Sequence, residues 1–310
     1  MPTYNGSLWI SETIESILKQ NFKDWRMLIG DDHSTDDTVK IISAFRDQRI
    51  CIYQNKKNLG YGRNLQHLTK KAGGEILFLM GQDDILLPGA LERTVKAFAD
   101  ETIGAVTRPY YWFDNNYKMP VRRVLSFDAK HDRKISVLDG KKETQKIFES
   151  LGQLSGLAYR RKYLNTGFHE EIFPSHIYPF AAITKKHKIM FLKDYTVAVR
   201  VVSSQTRSNP RVYDVSPTIS WVKMFNTVYP EKKFAPVRQW GIDQIATHFV
   251  GLVQIKNYST YENLLREIII LIRLHPANLI NPKFWFYSLG TLIIPRRLLA
   301  FLVDKLKKIW

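Results

Sequence analysis

Two short apolar runs in this chain each end in a pair of aspartates. Asp31-Asp32 follows Met27-Leu28-Ile29, and Asp83-Asp84 follows Ile76-Leu77-Phe78-Leu79-Met80. A run of that length closed by Gly or Asp reads as a buried strand, so each pair stands at a strand's carboxyl end, the edge where open α/β sheets receive ligands. Adjacent carboxylates repel, and a shared divalent cation carrying a phosphate is the usual relief. The first pair also has a plain structural use. Ser34, Thr35, Asp36 and Asp37 share its turn and can cap a helix through Val39, Ile42 and Phe45.

Around these runs the pattern alternates. Ile10, Ile14, Ile17 and Leu18 recur at helical spacing, then strand and helix follow each other through Arg26 to Gly30, Thr38 to Phe45, Ile50 to Gln54, Gly62 to Lys71, Ile76 to Met80, Pro88 to Ala99 and Gly104 to Phe113. That rhythm predicts an α/β fold with a mostly parallel twisted sheet flanked by helices. Asp114 to Lys142 is charged and turn-rich with no long period, and reads as an exposed insertion. Ser203 to Pro217 reads as a linker, after which Ile242 to Ile255, Tyr261 to Leu274 and Pro282 onward read as helices. The expected division is therefore an α/β domain over 1–205 and a mainly α-helical region over 206–310.

Lysine and arginine exceed aspartate and glutamate by 17, which calls for an anionic partner: nucleic acid, membrane surface or phosphorylated substrate. The single cysteine, Cys51, lies in the apolar run Ile50-Cys51-Ile52-Tyr53, which excludes a disulfide framework or a cysteine zinc site within one chain. No secretory leader is expected. The apolar stretch Phe284 to Ile294 contains Ser and Gly and falls short of the roughly 20 residues of a spanning helix, so the expected location is cytoplasmic or peripheral to a membrane.

Four segments, in order, resemble one family: Pro2-Thr3-Tyr4-Asn5-Gly6, Asp31-Asp32-His33-Ser34-Thr35-Asp36-Asp37-Thr38, Asn58-Leu59-Gly60-Tyr61-Gly62-Arg63-Asn64 and Gln82-Asp83-Asp84-Ile85. The chain is similar, over about residues 1 to 205, to the inverting nucleotide-sugar glycosyltransferases of family 2, which have the GT-A fold. The resemblance implies a nucleotide-sugar site of Pro2, Tyr4, Asn5, Asp32, Arg63, Gln82 and Asp83. In it Asp32 meets base or ribose, and Arg63 neutralises diphosphate with its forked guanidinium. It implies Mg2+ or Mn2+ on Asp83, although Gly81 stands where the family carries its first acid. Asp84 is expected on the acceptor side, orienting the loop or capping the helix that Pro88 begins. Ser155 and Gly156 resemble a small-residue segment lining the acceptor side. Relatives also carry an apolar strand before the first segment, whereas here Met1 stands directly before Pro2, so the expectation is either a sheet that lacks a strand or a chain that starts late.

Inverting transfer needs a base for the acceptor hydroxyl. The family's Asp, expected a few residues beyond Gly167-Phe168-His169-Glu170-Glu171, is absent from Phe173-Pro174-Ser175-His176-Ile177-Tyr178-Pro179. His176 is the substitute, with Glu171 and Glu170 next. At the end of the chain Trp285, Phe286, Tyr287 and other apolar residues interleave with Arg296, Arg297, Lys305, Lys307 and Lys308 up to Trp310. That pattern suits either a membrane interface or a helix packed on its own domain.

The expected function is metal-dependent inverting transfer of a hexosyl or rhamnosyl group from a UDP- or dTDP-sugar onto a saccharide or lipid-linked polysaccharide precursor. The tail is expected on the cytoplasmic membrane surface. Gln82-Asp83-Asp84-Ile85 resembles rhamnosyltransferase-like members, hence dTDP-rhamnose beside UDP-sugars. The alternatives are an inactive relative acting as a binding protein, motivated by Gly81 and the missing base, and a nucleic-acid-binding protein. The latter is disfavoured because paired acids would face an anionic ligand and no binding motif is present.

Overall fold

The computed structural model describes residues 1–170, 173, 175–201 and 210–299. The chain divides into two compact units, Met1–Glu170 with Ser175–Ser203, and Glu171–Pro174 with Ser204–Trp310.

In the first unit the order is β1 (Pro2–Thr3), α1 (Ile10–Leu18), β2 (Met27–Asp31), α2 (Thr38–Ala44), β3 (Ile50–Gln54), α3 (Tyr61–Lys71), β4 (Ile76–Phe78), β5 (Ile85–Leu86), α4 (Ala90–Ala97), β6 (Ile103–Thr107) and β7 (Tyr111–Phe113). It continues with β8 (Pro120–Arg123), β9 (Arg133–Ile135), α5 (Lys141–Glu149), β10 (Ala158–Arg160), α6 (Ile177–Thr184), β11 (Lys188–Phe191) and β12 (Val197–Arg200). Three sheets result, ordered β1-β2-β3, β4-β10-β6-β11-β9 and β5-β12-β7-β8. The first is parallel throughout, with Pro2 opposite Gly30 and Asp31 opposite Gln54. β1 is a two-residue strand made of the first segment itself. The other two sheets mix directions: β6 and β11 run parallel, as do β7 and β12, while β10 runs antiparallel to both its neighbours.

The helices form where apolar spacing predicts them. Ile10, Ile14 and Ile17 put one face of α1 into a core with Met27, Ile29, Leu86 and Val197. That same face is studded with polar groups that hold the chain near the second acid pair. Thr13 Oγ1 donates to the Gln82 carbonyl, Leu86 N donates to Ser16 Oγ, and Gln20 Nε2 donates to the Leu86 and Leu87 carbonyls.

Two segments differ from the sequence expectation. Gly104 to Phe113 is not one strand but two in different sheets, broken at Arg108-Pro109. Proline cannot donate to a ladder. The fully buried Arg108 guanidinium spends its donors on the Gly156 and Ala90 carbonyls and the Thr94 and Thr196 hydroxyls. Asp114 to Lys142 is exposed over most of its length, as expected, but it also carries β8 and β9, which extend two sheet edges. Their short, cationic strands lack the period that marks a half-buried strand.

The second unit is helical: α7 (Pro217–Val228), α8 (Ala235–Ala246), α9 (Gly251–Tyr258), α10 (Tyr261–Leu274) and α11 (Pro282–Ile293). The expected Ile242 to Ile255 helix is two helices, separated at Thr247 to Val250. Phe249, Leu252, Ile255, Leu264, Ile268, Leu271 and Phe284 form its core. Buried Glu267 is satisfied by Ser216 Oγ and Thr218 N at the start of α7. Among the described residues no helix is long and apolar enough to cross a membrane.

Candidate functional site

Asp32 directly follows β2 and is 3% exposed. Its Oδ1 accepts from Asn55 Nδ2 (2.9 Å) and Leu59 N (2.8 Å), and its Oδ2 accepts from Gly60 N (2.8 Å). Asn55 continues to Asn64 Oδ1, and Asn64 Nδ2 donates to the Gly30 carbonyl. The Asn58 to Asn64 segment is therefore the loop that Asp32 holds, with Gly60 at φ +83° turning it into α3. A carboxylate offers about four lone-pair positions. Three are used here, so a nucleoside contact at Asp32 has one position of Oδ2 left. Asp31 Oδ2 accepts from Ser34 N, while its buried Oδ1 has no hydrogen-bond partner among the described residues.

The first and second acid loops are joined by β1. Asn5, at φ +46°, donates its N–H to Ser34 Oγ and accepts from Thr35 N on Oδ1. Gly6 N donates to Thr38 Oγ1. Gln82 then behaves like a strand residue: its Oε1 accepts from Tyr4 N (2.9 Å) and Thr3 Oγ1, and its Nε2 donates to the Tyr4 carbonyl. Of Pro2, Tyr4 and Asn5, Pro2 is buried and Tyr4 is exposed. Gln82 is therefore the clasp between the nucleotide-side loop and Asp83, a role the sequence does not reveal.

Asp83 and Asp84 stand where the chain leaves the five-stranded sheet at β4 and enters the four-stranded sheet at β5. Asp83 is half-buried and Asp84 is 6% exposed. Asp84 Oδ2 accepts from Ser155 Oγ (2.5 Å), Ser155 Oγ accepts from Gly81 N (2.8 Å), and Asp84 Oδ1 accepts from Arg200 N (3.1 Å). Burial, and secondarily the Asp83 carboxylate, push the Asp84 carboxyl up to about 8. Ser155 thus braces the acid loop and is engaged there rather than offering open room. Gly156 is needed for its backbone. Its φ is +92°, and a Cβ would stand 2.8 Å from Val197 Cγ2.

Among the described residues no group of three or more His, Cys, Asp or Glu could hold a metal by protein ligands alone. The fit is to a cation that arrives with its phosphates. One half-exposed carboxylate, beside a buried neighbour whose proton affinity it raises, suits a hard cation completed by phosphate oxygens and water.

The other expected residues lie around α3. Arg63 pairs with Glu170 (Nη2 to Oε2, 2.5 Å), both exposed. His176 lies against the start of α3, with Nδ1 3.3 Å from Tyr61 Oη and Nε2 3.0 Å from the Leu151 carbonyl. The carbonyl can only accept, so Nε2 carries the proton and Nδ1 accepts from Tyr61. Burial lowers the ring to about 4. Gly62 permits this packing, since a Cβ there would stand 2.1 Å from the His169 carbonyl. Glu171 lies outside the described residues.

The structure therefore gathers Tyr4, Gln82, Asp83, Asp84 and Ser155 in one network. Asp32 is held with the Asn58 to Gly60 loop, and His176 stands against Tyr61 at the start of α3. Sequence reasoning quoted Asn64 in the third segment without giving it a role, and missed Asn55 and Arg200, which present only as isolated polar residues after apolar runs.

The chain resembles a putative glycosyltransferase, EpsE, of Bacillus subtilis, 37% identical over 98 residues, 31% of this chain and 35% of the relative. It is 31% identical over 116 residues to the UDP-Glc:alpha-D-GlcNAc-diphosphoundecaprenol beta-1,3-glucosyltransferase WfgD of Escherichia coli, 37% of this chain and 46% of that protein. The match thus spans less than half the length of these relatives. In fold it resembles S. aureus TarS, solved in complex with UDP-GlcNAc, with a TM-score of 0.68 at 19% identity, covering 94% of this chain and 86% of that one. A mannosyltransferase from Pyrobaculum calidifontis, solved with GDP-Man and Mn2+, gives a TM-score of 0.56 at 16% identity over 94% of this chain and 84% of that one. The description Glycosyl transferase family 2 matches residues 1–168, more than half of the chain, and the chain belongs to that family.

Proposed function

We propose that the protein transfers a sugar from a UDP- or dTDP-sugar onto a saccharide or lipid-linked polysaccharide precursor with inversion. The observation that carries this reading is the Gln82 clasp, which fixes the Asp83-Asp84 loop to the end of β1 beside the Asp31-Asp32 turn. A nucleoside diphosphate bound there has donors and acceptors for base and ribose at one end and a carboxylate for its cation at the other. Tyr4 offers its exposed ring to the base, Asp32 its remaining lone pair to base or ribose, and Asp83 holds Mg2+ or Mn2+. The bound cation would supply charge stabilisation to the departing diphosphate. Arg63 reaches the diphosphate by exchanging Glu170 for phosphate, and His176 takes the acceptor proton once Nδ1 leaves Tyr61. WfgD, by its name, acts on a diphosphoundecaprenol-linked sugar, which supports a lipid-linked acceptor at the cytoplasmic membrane face. Thermal shift against UDP- and dTDP-sugars, with and without Mn2+, tests the function. One donor should raise the melting temperature in a Mn2+-dependent way, and no stabilisation by any of them rejects it.

The proposed membrane surface lies on α11. Its inward face, with Phe284 fully buried and Ser288 and Thr291 beside it, belongs to the core of the helical unit, so deleting the tail would damage that unit. Its outward face is also apolar: Phe286 and Ile293 are each 75% exposed, with Leu289 between them and Ile280 just before the helix. Exposed Lys283, Arg296 and Arg297 flank this face. A bilayer with anionic headgroups matches both the apolar stripe and its cations; residues 300–310, the rest of the expected tail, lie outside the described residues. Phe286→Asp with Ile293→Asp should weaken binding to phosphatidylglycerol-containing vesicles at least about tenfold, since each buried side chain contributes on the order of 1.5–3 kcal/mol. Equal cosedimentation of the double variant and the native protein would refute the assignment.

A further inference from the structure

We propose that Arg200 is a positioning residue of the acid loop, acting on cation and donor through Asp83. This rests on the assignment of Asp83 made above. Arg200 ends β12 after Val197-Ala198-Val199 and is buried. Its Nε donates to the Asp83 carbonyl (3.1 Å), Nη1 to the Asp114 carbonyl (3.3 Å) and Nη2 to the Glu12 carboxylate. The guanidinium lies 4.1 Å from the Trp9 ring centroid and 4.5 Å from that of Phe113. Its own N–H donates to Asp84 Oδ1.

One side chain therefore ties the start of α1, the acid loop and the end of β7 together, and the residue bonds both aspartates, Asp83 through its guanidinium and Asp84 through its main-chain N–H. The strands that flank the acid loop are only three and two residues long, so the sheets alone fix it weakly. The bond to the Asp83 carbonyl pins the peptide that carries the Asp83 side chain, and the carboxylate direction follows from that peptide. Binding constellations depend on supporting groups held to about 0.5 Å. The ion pair with Glu12 supplies the countercharge that lets a cation be buried beside the loop. Lysine cannot replace it. A single ammonium has neither the fork that spans three oxygens nor the plane that lies against Trp9 and Phe113.

Calorimetric titration of UDP with and without Mn2+ reads the effect as the gain in affinity the metal gives. Native protein, Arg200→Lys, Glu12→Gln and Asp83→Asn are compared well below their melting temperatures. Arg200→Lys should lose about tenfold or more of the Mn2+-dependent gain while its metal-free UDP affinity stays within about threefold of native. Glu12→Gln, which leaves Arg200 and its main-chain bonds in place, should lose about threefold of the gain and decides the matter if Arg200→Lys does not fold. A general loss of stability lowers melting temperature but does not move the ratio of the two affinities. If Asp83→Asn loses the gain and both other variants keep it, Arg200 is a structural residue only and the inference falls while the Asp83 assignment stands. If Asp83→Asn keeps the gain as well, both fall.

Discussion

Asp83→Asn leaves the folded protein intact and removes metal-dependent nucleotide binding. Asparagine matches the shape of aspartate, and the main-chain carbonyl that Arg200 grips is untouched, so the melting temperature should change little. The lost charge is the one a hard cation requires, because an amide oxygen is a poor substitute for a carboxylate beside phosphates. Losing an outer partner of a metal site costs about 10–100-fold in affinity, and losing a ligand exceeds that. Transfer should fall in proportion, since the charge that develops on the leaving diphosphate then lacks its counter-ion. The substitution also removes the second cause of the raised Asp84 pKa. Calorimetry with UDP at increasing Mn2+ measures the first effect, and an unaltered metal dependence takes Asp83 out of the site.

Much of this site was legible in the sequence because strand ends announce themselves. Met27 to Ile29 and Ile76 to Met80 are apolar runs closed by polar pairs; Asp31-Asp32 stands at the carboxyl end of β2 as expected, whereas β4 stops at Phe78 and Asp83-Asp84 lies in the loop that leads directly into β5. The alternation of periods likewise placed α1 to α4 to within two residues at most ends. The network behind the pairs was not legible. Gln82 reads as a ligand-binding polar residue, and its amide also pairs with the Tyr4 main chain and the Thr3 hydroxyl; Ser155 reads as one of two small residues, and its hydroxyl bonds Asp84. Such roles depend on which segments meet across more than 70 positions of chain, and no local period encodes that. The β6 to β7 break fails for a related reason. A buried arginine inside an apolar run looks like a tolerated exception until its four acceptors are known. On α11 both faces are apolar, so periodicity alone cannot say which one packs inward.

His176→Ala is expected to lower turnover by about 100- to 10,000-fold with donor affinity nearly unchanged, as loss of a general base does. The ring sits beside the loop that Asp32 holds, and the Leu151 carbonyl fixes the proton on Nε2, so the lone pair that accepts is on Nδ1. Tyr61 occupies that lone pair. Tyr61→Phe should therefore retain turnover or raise it, whereas a ring that only pegs two segments together would lose stability in both variants and transfer in neither. The lowered pKa gives a second readout. Between about pH 4 and 6.5 the unfolded chain binds a proton at His176 that the native protein does not, so native stability falls as pH drops through that window and is fully present above 6.5. Urea unfolding of His176→Gln across this range should show a flatter dependence than the native protein. The activity profile follows from the same burial: its acid limb should lie near pH 4, well below the 6.5 of an ordinary imidazole. Near-normal transfer by His176→Ala together with loss in Glu171→Gln would move the base to Glu171.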